Sequence, residues 1–250
     1  MASPESIIRF QLTLHSMIHP FRKDLFEQRP IVGILRGFPL EIVEPLVEAV
    51  RDGGLTSLEV TMNSVGAADQ IRRAMAVGKD RMNIGAGTVT TLDRLEEALE
   101  AGASFIVTPT LVLPVIARCV ELKVPVFPGA FTPSEISQAW DLGATLVKVF
   151  PAEVLGPAFL RAVKAPLPHI RLMPTGGVDL QTIGAYLQAG ADAVGIGSPL
   201  FKADRVASCD WHWLRDRAAA FVEAYIRRGE IGSLTHTPSD PTGKSPLSKS

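Results

Sequence analysis

A single lysine, Lys148, stands among apolar and partly β-branched residues in the segment Leu146-Val147-Lys148-Val149-Phe150-Pro151-Ala152-Glu153. Burial of an unpaired ammonium group in such surroundings costs several kcal/mol, so the amine is expected to lose its proton instead. A neutral amine in a cavity is the nucleophile that Schiff-base chemistry on a ketone requires. The segment therefore predicts a covalent lysine catalyst.

A carboxylate occupies the inward face of an earlier apolar run, Leu58-Glu59-Val60-Thr61-Met62-Asn63. Alternate residues of a strand face opposite sides, so Glu59, Thr61 and Asn63 share one face, and the apolar residues between them share the other. A buried carboxylate near a buried amine suits general acid/base catalysis. A structural ion pair between Lys148 and Glu59 is the alternative, although buried ion pairs add little to stability.

Two further polar residues end other strands and are expected at the same mouth. Arg36 ends the first strand on the face of Ile34, and Thr88 ends the third on the face of Ala86. A guanidinium group binds a carboxylate with two parallel hydrogen bonds. Together with the lysine and the glutamate, these residues predict a site for a small anionic ketone.

Two glycine-rich segments end the last two predicted strands, Pro174-Thr175-Gly176-Gly177-Val178 and Gly195-Ile196-Gly197-Ser198. Glycines there let backbone N–H groups approach an anion closely. The loops after strands seven and eight are where barrels commonly bind phosphate. We therefore predict a phosphate site, with tight turns between strand and helix as the alternative use of these glycines.

Short apolar runs alternate with helical patterns from residue 31 onward. These predicted strands and helices must position the site residues described above. The helical segments, such as Leu40–Arg51 and Leu92–Ala101, carry apolar residues at three- and four-residue spacing. The predicted strands are Ile31–Gly37, Ser57–Asn63, Asn83–Val89, Phe105–Thr110, Val124–Ala130, Thr145–Ala152, Arg171–Gly176 and Ala193–Ser198.

Eight strands, each followed by a helix, predict an α/β protein with a (β/α)8 TIM barrel fold. A doubly wound open sheet is the alternative, but it normally carries a glycine-rich fingerprint after its first strand. The turn after that strand is Arg36-Gly37-Phe38-Pro39, which lacks the fingerprint. In a barrel the reactive groups sit at the carboxyl ends of the strands, where these predicted site residues lie.

Residues outside the barrel core are expected to form an N-terminal helical segment and a C-terminal helix. Phe21, Leu25 and Phe26 precede the first strand and are predicted to plug the amino-terminal mouth. Residues 1–232 are interpreted as a single domain, with the core at about 31–201. The tail from 233 to 250 is rich in Ser, Thr, Pro and Lys and is predicted to be disordered.

The charge balance excludes several classes of partner. With 25 basic and 26 acidic side chains, no net field attracts nucleic acid or an anionic membrane surface. No apolar run is long enough to cross a membrane. The two cysteines indicate no disulfide framework or metal motif, so a cytoplasmic location is predicted.

The chain resembles the class I 2-keto-3-deoxy-6-phosphogluconate (KDPG) and 4-hydroxy-2-oxoglutarate aldolases, including the 2-keto-3-deoxy-6-phosphogalactonate branch. The similarity spans about residues 30–201. Its segments, in order, are Ile34-Leu35-Arg36-Gly37, Leu58-Glu59-Val60-Thr61, Gly85-Ala86-Gly87-Thr88-Val89, Val107-Thr108-Pro109, Pro128-Gly129, Val147-Lys148-Val149-Phe150-Pro151-Ala152-Glu153, Pro174-Thr175-Gly176-Gly177 and Gly195-Ile196-Gly197-Ser198.

This resemblance implies a metal-free and cofactor-free lyase that cleaves a 2-keto-3-deoxy-6-phospho sugar acid to pyruvate and glyceraldehyde 3-phosphate, as in Entner–Doudoroff carbohydrate metabolism. It implies a homotrimer with a small-molecule substrate. Lys148 would form the Schiff base and Glu59 would transfer protons. The remaining implied contacts are Arg36, Asn63, Thr88, Pro109 and Phe150 around the pyruvyl end, and Thr175, Gly176, Gly177, Gly197 and Ser198 around the phosphate.

Substrate preference within the family stays open at this stage. Asn63, combined with Arg36, is more similar to the phosphogalactonate branch, whereas Pro174-Thr175-Gly176-Gly177 is more similar to the phosphogluconate branch. Alternatives are a 4-hydroxy-2-oxoglutarate aldolase, a sugar-phosphate epimerase or isomerase on the same barrel, and a non-catalytic sugar-phosphate binding protein. A metal-dependent aldolase is disfavoured because the five histidines are scattered.

Overall fold

A computed structural model describes residues 19–227 of the chain, and the predicted tail from 233 to 250 lies outside them. The described part is a mixed α/β structure built on parallel strands. The strands are β1 Ile31–Leu35, β2 Ser57–Thr61, β3 Asn83–Gly87, β4 Ile106–Val107, β5 Val126–Phe127, β6 Gly129–Ala130, β7 Val147–Val149, β8 Leu172–Pro174 and β9 Val194–Ile196.

All strand pairs are parallel and follow a curled path. Six strands form one sheet in the order β5-β4-β3-β2-β1-β9, and β6-β7-β8 form a second sheet. A parallel bridge between Thr175 and Gly195 connects the end of β8 to β9. On the other side, the Lys148 N–H donates to the Pro128 carbonyl at 2.8 Å, so β7 is joined to the segment between β5 and β6. The two sheets therefore form one curled parallel layer.

The fifth predicted strand, Val124–Ala130, is divided into β5 and β6 at Pro128. Proline has no N–H group and cannot donate to a neighbouring strand. The Pro128 carbonyl still accepts from Lys148, so the break leaves the chain in the sheet. The other strands are also shorter than predicted: all end earlier, and β4, β7, β8 and β9 also begin one or two residues later.

Helices connect successive strands and cover the outside of the curled sheet. They are α1 Lys23–Gln28, α2 Val43–Asp52, α3 Ala67–Gly78, α4 Leu92–Glu100, α5 Leu113–Glu121, α6 Pro133–Asp141, α7 Ala152–Lys164, α8 Ile183–Gln188, α9 Ala203–Ala207 and α10 Trp211–Ile226, with 3-10 turns at Leu40–Ile42 and Lys79–Arg81. Helix α7 is interrupted at Gly156, whose φ is 69°. Among the described residues, no helix combines the length and apolar character needed to span a membrane.

Local sequence signals explain several helix ends. Thr132 and Glu135 begin helix α6 with a full capping box, in which each side chain accepts from the other residue's backbone N–H. Gly102, Gly143 and Gly190, which follow helices α4, α6 and α8, have positive φ. After helix α2 the positive φ falls on Gly54 and not on Gly53.

Two apolar clusters make up the core. The larger one lies between the sheet and the helices, and the smaller one groups inward-facing residues of β1, β4, β5 and β8 with Phe26 of α1. In the smaller cluster the rings of Phe105 and Phe127 stack at 5.3 Å, and Phe21 and Phe26 pack beside them. Two of the three residues predicted to plug the amino-terminal mouth, Phe21 and Phe26, therefore pack there, whereas Leu25 is half-buried and belongs to neither cluster.

Candidate functional site

A cavity of about 650 Å³ opens at the carboxyl end of the strands. Its lining contains both charged side chains and glycine-rich loop segments. Eight of the residues predicted for the site line it: Arg36, Lys148, Phe150, Thr175, Gly176, Gly177, Gly197 and Ser198. The topology thus brings the first, sixth, seventh and eighth predicted βα units together around one space.

Lys148 lies at the centre of β7, paired with Gly129 on one side and Met173 on the other. Its side chain is 4% exposed, and its Nζ atom is 5.1 Å from the centre of the Phe150 ring. Burial lowers the pKa of the Lys148 amine, and the Arg36 charge lowers it further, while Glu59 opposes both. The inward direction and the burial that the strand phase predicts are confirmed.

Glu59 lies in β2, opposite Ile34 of β1 and Gly85 of β3. It is 1% exposed, and neither carboxylate oxygen has a hydrogen-bond partner in the described part of the chain. Burial raises the pKa of the Glu59 carboxyl, with Lys148 and Arg36 acting in the opposite direction. Because no hydrogen bond joins the lysine and the glutamate, a structural ion pair does not explain their burial.

Two glycines of β3 make room for the groups beside them. A Cβ on Gly87 would collide with the Glu59 carboxylate, and one on Gly85 would lie 2.5 Å from the Phe105 ring. The inner face of β3 is therefore bare backbone, occupied by side chains from β2 and from the residue just before β4. Sequence reasoning missed this role, although Gly85-Ala86-Gly87 carries the signal as glycines at two-residue spacing in a strand.

Thr88 reaches the site by a different route from the one predicted. Ile84 and Ala86, whose face it was expected to share, pack in the cluster between sheet and helices, so that phase points away from the interior. Thr88 has a φ of +56°, which turns the chain, and its Oγ1 lies 3.5 Å from Nη2 of Arg36. The strand-phase argument for Thr88 is wrong, and the turn places the residue beside Arg36 instead.

Four predicted site residues, Glu59, Asn63, Thr88 and Pro109, are not on the lining of the cavity. Asn63 is exposed, and its side chain makes no hydrogen bond within residues 19–227. Pro109 is half-buried, and its carbonyl group packs tightly against Gly129. A Cβ on Gly129 would collide with that carbonyl group. The backbone of Pro109 thus fits against the strand segment that pairs with Lys148.

The glycine-rich loops form the far wall of the cavity. Gly176 and Gly177 have φ values of +91° and +71°, which strongly favour glycine. Thr175 is buried, and a Cβ on Gly195 would collide with its hydroxyl group. The backbone therefore lies exposed to the cavity at both loops.

Nine lining residues were not among the predicted contacts, and three of them, Phe38, Phe201 and Glu153, change the character of the cavity. Phe38 and Phe201 meet edge-to-face at 6.4 Å and give the cavity an apolar side. Glu153 lies on the lining close to Gly177. In the described part of the chain, no three His, Cys, Asp or Glu side chains are grouped so that they could hold a metal ion.

A parallel α/β sheet with a buried lysine and a buried carboxylate at its carboxyl end is the arrangement of an enzyme. The family described as KDPG and KHG aldolase matches residues 23–216. The chain is 34% identical over 197 residues to the 2-dehydro-3-deoxy-6-phosphogalactonate aldolase of Escherichia coli, covering 78% of this chain and 94% of that protein. The chain belongs to the KDPG and KHG aldolase family and is a lyase.

Two further proteins extend the comparison. A 2-dehydro-3-deoxy-phosphogluconate aldolase of Treponema pallidum is 35% identical over 191 residues, which is 75% of this chain and 90% of that protein. The crystal structure of the KDPG aldolase from Legionella pneumophila, with pyruvate captured as a covalent carbinolamine intermediate, superposes with a TM-score of 0.74. The Legionella protein is 27% identical, and the match covers 79% of this chain and 96% of the Legionella chain.

Proposed function

We propose that this aldolase cleaves a 2-keto-3-deoxy-6-phospho sugar acid to pyruvate and glyceraldehyde 3-phosphate through a Schiff base on Lys148. The observation that carries the proposal is the buried Lys148 amine, which has a lowered pKa and borders the cavity. Desolvation favours its neutral, nucleophilic form. The Legionella relative that holds pyruvate as a carbinolamine supports the same chemistry.

The reaction begins when the neutral amine attacks the C2 ketone and forms a carbinolamine. Loss of water gives a protonated imine. Removal of the C4 hydroxyl proton then breaks the C3–C4 bond. The electron pair of that bond moves into the protonated imine and gives an enamine. Glyceraldehyde 3-phosphate leaves, a proton adds to C3, and one water molecule hydrolyses the imine to release pyruvate and restore Lys148.

Glu59 transfers the protons in this scheme. Its carboxylate is buried and lacks a hydrogen-bond partner among the described residues, so it can accept a hydrogen bond from substrate or from a water molecule that reaches it. Burial raises the pKa of the Glu59 carboxyl, which favours the protonated form that a general acid needs. The bare inner face at Gly87 leaves room for the carboxylate.

The remaining contacts divide between the two anionic ends of the substrate. Arg36 binds the carboxylate of the pyruvyl end, with Thr88, Asn63 and Pro109 around it, and Phe150 shields the imine from water. Arg36 is supported in this role because it is the cation on the cavity lining that does not take part in the chemistry.

The phosphate ester lies against the opposite wall of the cavity. Thr175, Gly176, Gly177, Gly197 and Ser198 hold it there. Exposed backbone and positive φ at the two glycines after β8 support this placement, because backbone N–H groups can then converge on an anion.

We further infer that residues 1–232 form one (β/α)8 TIM barrel domain with added terminal helices. The bridge from Thr175 to Gly195 and the bond from Lys148 to Pro128, which join the two sheets, support a closed barrel. A homotrimer is supported by large apolar side chains that stay exposed on the single chain, namely Leu92, Leu113, Val120, Phe131, Leu142 and Val154.

A cytoplasmic enzyme of Entner–Doudoroff type completes the proposal. Both cysteines are free: Cys119 is buried and Cys209 is exposed. Free thiols agree with a reducing compartment. Phosphorylated sugar acids are also substrates of metabolism inside the cell, which fits the phosphate wall of the cavity.

Borohydride reduction in the presence of pyruvate tests the Schiff base directly. Mass spectrometry is expected to find the reduced pyruvyl adduct on the peptide that holds Lys148. Lys164, whose Nζ atom is paired with Asp192 at 2.7 Å, provides the matched control. The Lys164→Met variant should label as the wild type does, and labelling that is lost only with Lys164 would refute the mechanism.

Product release identifies the substrate. In an assay coupled to lactate dehydrogenase, the phosphogluconate and phosphogalactonate forms of the keto acid are compared at equal concentration. Cleavage of either supports the proposal, and their ratio gives the C4 preference. Faster cleavage of 4-hydroxy-2-oxoglutarate, which has no phosphate, would contradict the assignment of the glycine-rich wall.

A further inference from the structure

A buried glutamine outside the proposed catalytic residues ties two loops of the site together. Gln70, in helix α3, is fully buried, and its Nε2 atom donates to the carbonyl oxygens of Phe38 at 2.8 Å and Val65 at 3.0 Å. Phe38 belongs to the loop after β1, and Val65 to the loop after β2. One amide group therefore joins segments that are 27 residues apart in the sequence (65 − 38).

One further hydrogen bond joins the same two loops, and a second one anchors it to the end of β2. The N–H of Gly37 donates to Oγ of Ser64 at 2.9 Å. That hydroxyl lies 3.0 Å from Oγ1 of Thr61, which is fully buried at the end of β2. We call Thr61, Ser64 and Gln70 the loop clamp.

The residue next to the clamped backbone is Arg36. Within residues 19–227 its guanidinium has no ion pair, and its single hydrogen bond, to Thr88, is long at 3.5 Å. Its side chain therefore has little direct support, and its direction depends on the backbone at Gly37 and Phe38. The clamp joins Gly37 through Ser64 to Thr61, two residues beyond Glu59 in β2, and joins the Phe38 carbonyl to Gln70 of helix α3.

We propose that Gln70 is a positioning residue that acts through Arg36 to set the affinity for the anionic end of the substrate. This inference rests on the proposed function, in which Arg36 binds the substrate carboxylate. Gln70 does not line the cavity, so its effect on catalysis passes through the loop after β1. Small displacements of a binding group cost large factors in catalysis, and buried hydrogen bonds are what prevent them.

Three substitutions separate this role from simple packing. Gln70→Met keeps the length of the side chain and removes both donors. Gln70→Glu places a carboxylate against two carbonyl oxygens, so it should loosen the loop more strongly. Gln188→Met, at an exposed position at the end of helix α8, is the matched control and should change nothing.

Steady-state kinetics with the phosphorylated keto acid provide the main measurement. Gln70→Met is expected to raise KM by about tenfold and to change kcat much less, because the acid/base pair is untouched. In an Arg36→Ala background the same substitution should change KM by less than about twofold, since its effect passes through the arginine. Equal effects in both backgrounds would show a merely structural role and overturn the inference.

A second readout does not depend on turnover. Hydrogen–deuterium exchange of residues 36–39 should be faster in Gln70→Met than in the wild type, while pyruvate trapping on Lys148 is retained. Unchanged exchange together with an unchanged KM would overturn the clamp. If the wild-type protein fails to cleave the keto acids, the proposed function fails, and the exchange result still decides whether Gln70 holds the loop.

Discussion

The two ends of the curled sheet bury polar groups in opposite ways. Asn83 and Glu59 are both 1% exposed and lie on neighbouring strands. At the amino end, the side-chain oxygen of Asn83 accepts from the Arg22 N–H at 2.7 Å and its Nδ2 donates to the Arg22 carbonyl at 3.0 Å. At the carboxyl end, both oxygens of Glu59 have no partner within residues 19–227.

This difference separates stability from chemistry. At the amino end, four phenylalanine rings fill the interior, and the buried amide is satisfied. At the carboxyl end, the interior holds a lysine and a glutamate whose charged forms are disfavoured by burial. Unsatisfied buried groups cost stability and concentrate at functional sites. The packing at the amino end therefore offsets the destabilisation that the buried Lys148 and Glu59 cause at the carboxyl end.

Lys148→Met is expected to have the largest effect on activity among the substitutions that compare the two ends. Loss of the nucleophile is expected to reduce kcat by more than about 10⁴-fold. Folding should be unaffected or stabilised, because an apolar side chain of similar length replaces a desolvated amine. Thermal unfolding and the coupled pyruvate assay measure both effects, and a large fall in Tm would show that the lysine has a structural role.

Phe105→Ala tests the other end. Removal of a fully buried ring that stacks on Phe127 is expected to lower the free energy of unfolding by about 3–5 kcal/mol. The rate per folded molecule should stay near that of the wild type, since the ring lies away from the cavity. Urea denaturation with active-site titration by the borohydride trap checks both values. A loss of rate as large as the loss of stability would show that the two ends are not separate.

Glu59→Gln is expected to lower kcat by about 10²–10³-fold, because an amide cannot transfer the proton. Pyruvate trapping on Lys148 should persist. The free energy of unfolding should change by less than about 1 kcal/mol, because the new amide is no less satisfied than the carboxyl group. Near-normal turnover would remove Glu59 from the acid/base role.

The smallest expected effects are shifts of pH dependence. Trapping by borohydride needs the neutral amine, so its rate should rise with pH, with a midpoint below the usual lysine value of about 10.4. Glu59 favours the charged amine and Arg36 disfavours it. Glu59→Gln should therefore move the midpoint to lower pH, and Arg36→Ala should move it to higher pH. Shifts of the opposite sign would contradict the electrostatic description of the site.

Local patterns predicted much of this arrangement. The alternation of residues in β2 and β7 correctly placed Glu59 and Lys148 inside the sheet, and the Thr132-Pro133 helix start was recognisable from its residue types. The face assigned to Thr88 was wrong because Ile84 and Ala86 point towards the helices, and the positive φ at Thr88 turns it towards Arg36 instead. The clamp by Gln70 was not predicted, because its partners lie in different loops.

The sequence alone determined the alternation of strands and helices, the inward phase of the lysine and the glutamate, and membership of the aldolase family. These features depend on short-range periodicity and on motifs that keep their order along the chain. Only the tertiary structure decided that Glu59 has no hydrogen-bond partner in the described chain, that Gly87 makes room for it, and that Gln70 holds the loop of Arg36. Such contacts join residues distant in sequence, and their geometry depends on how the strands and helices pack.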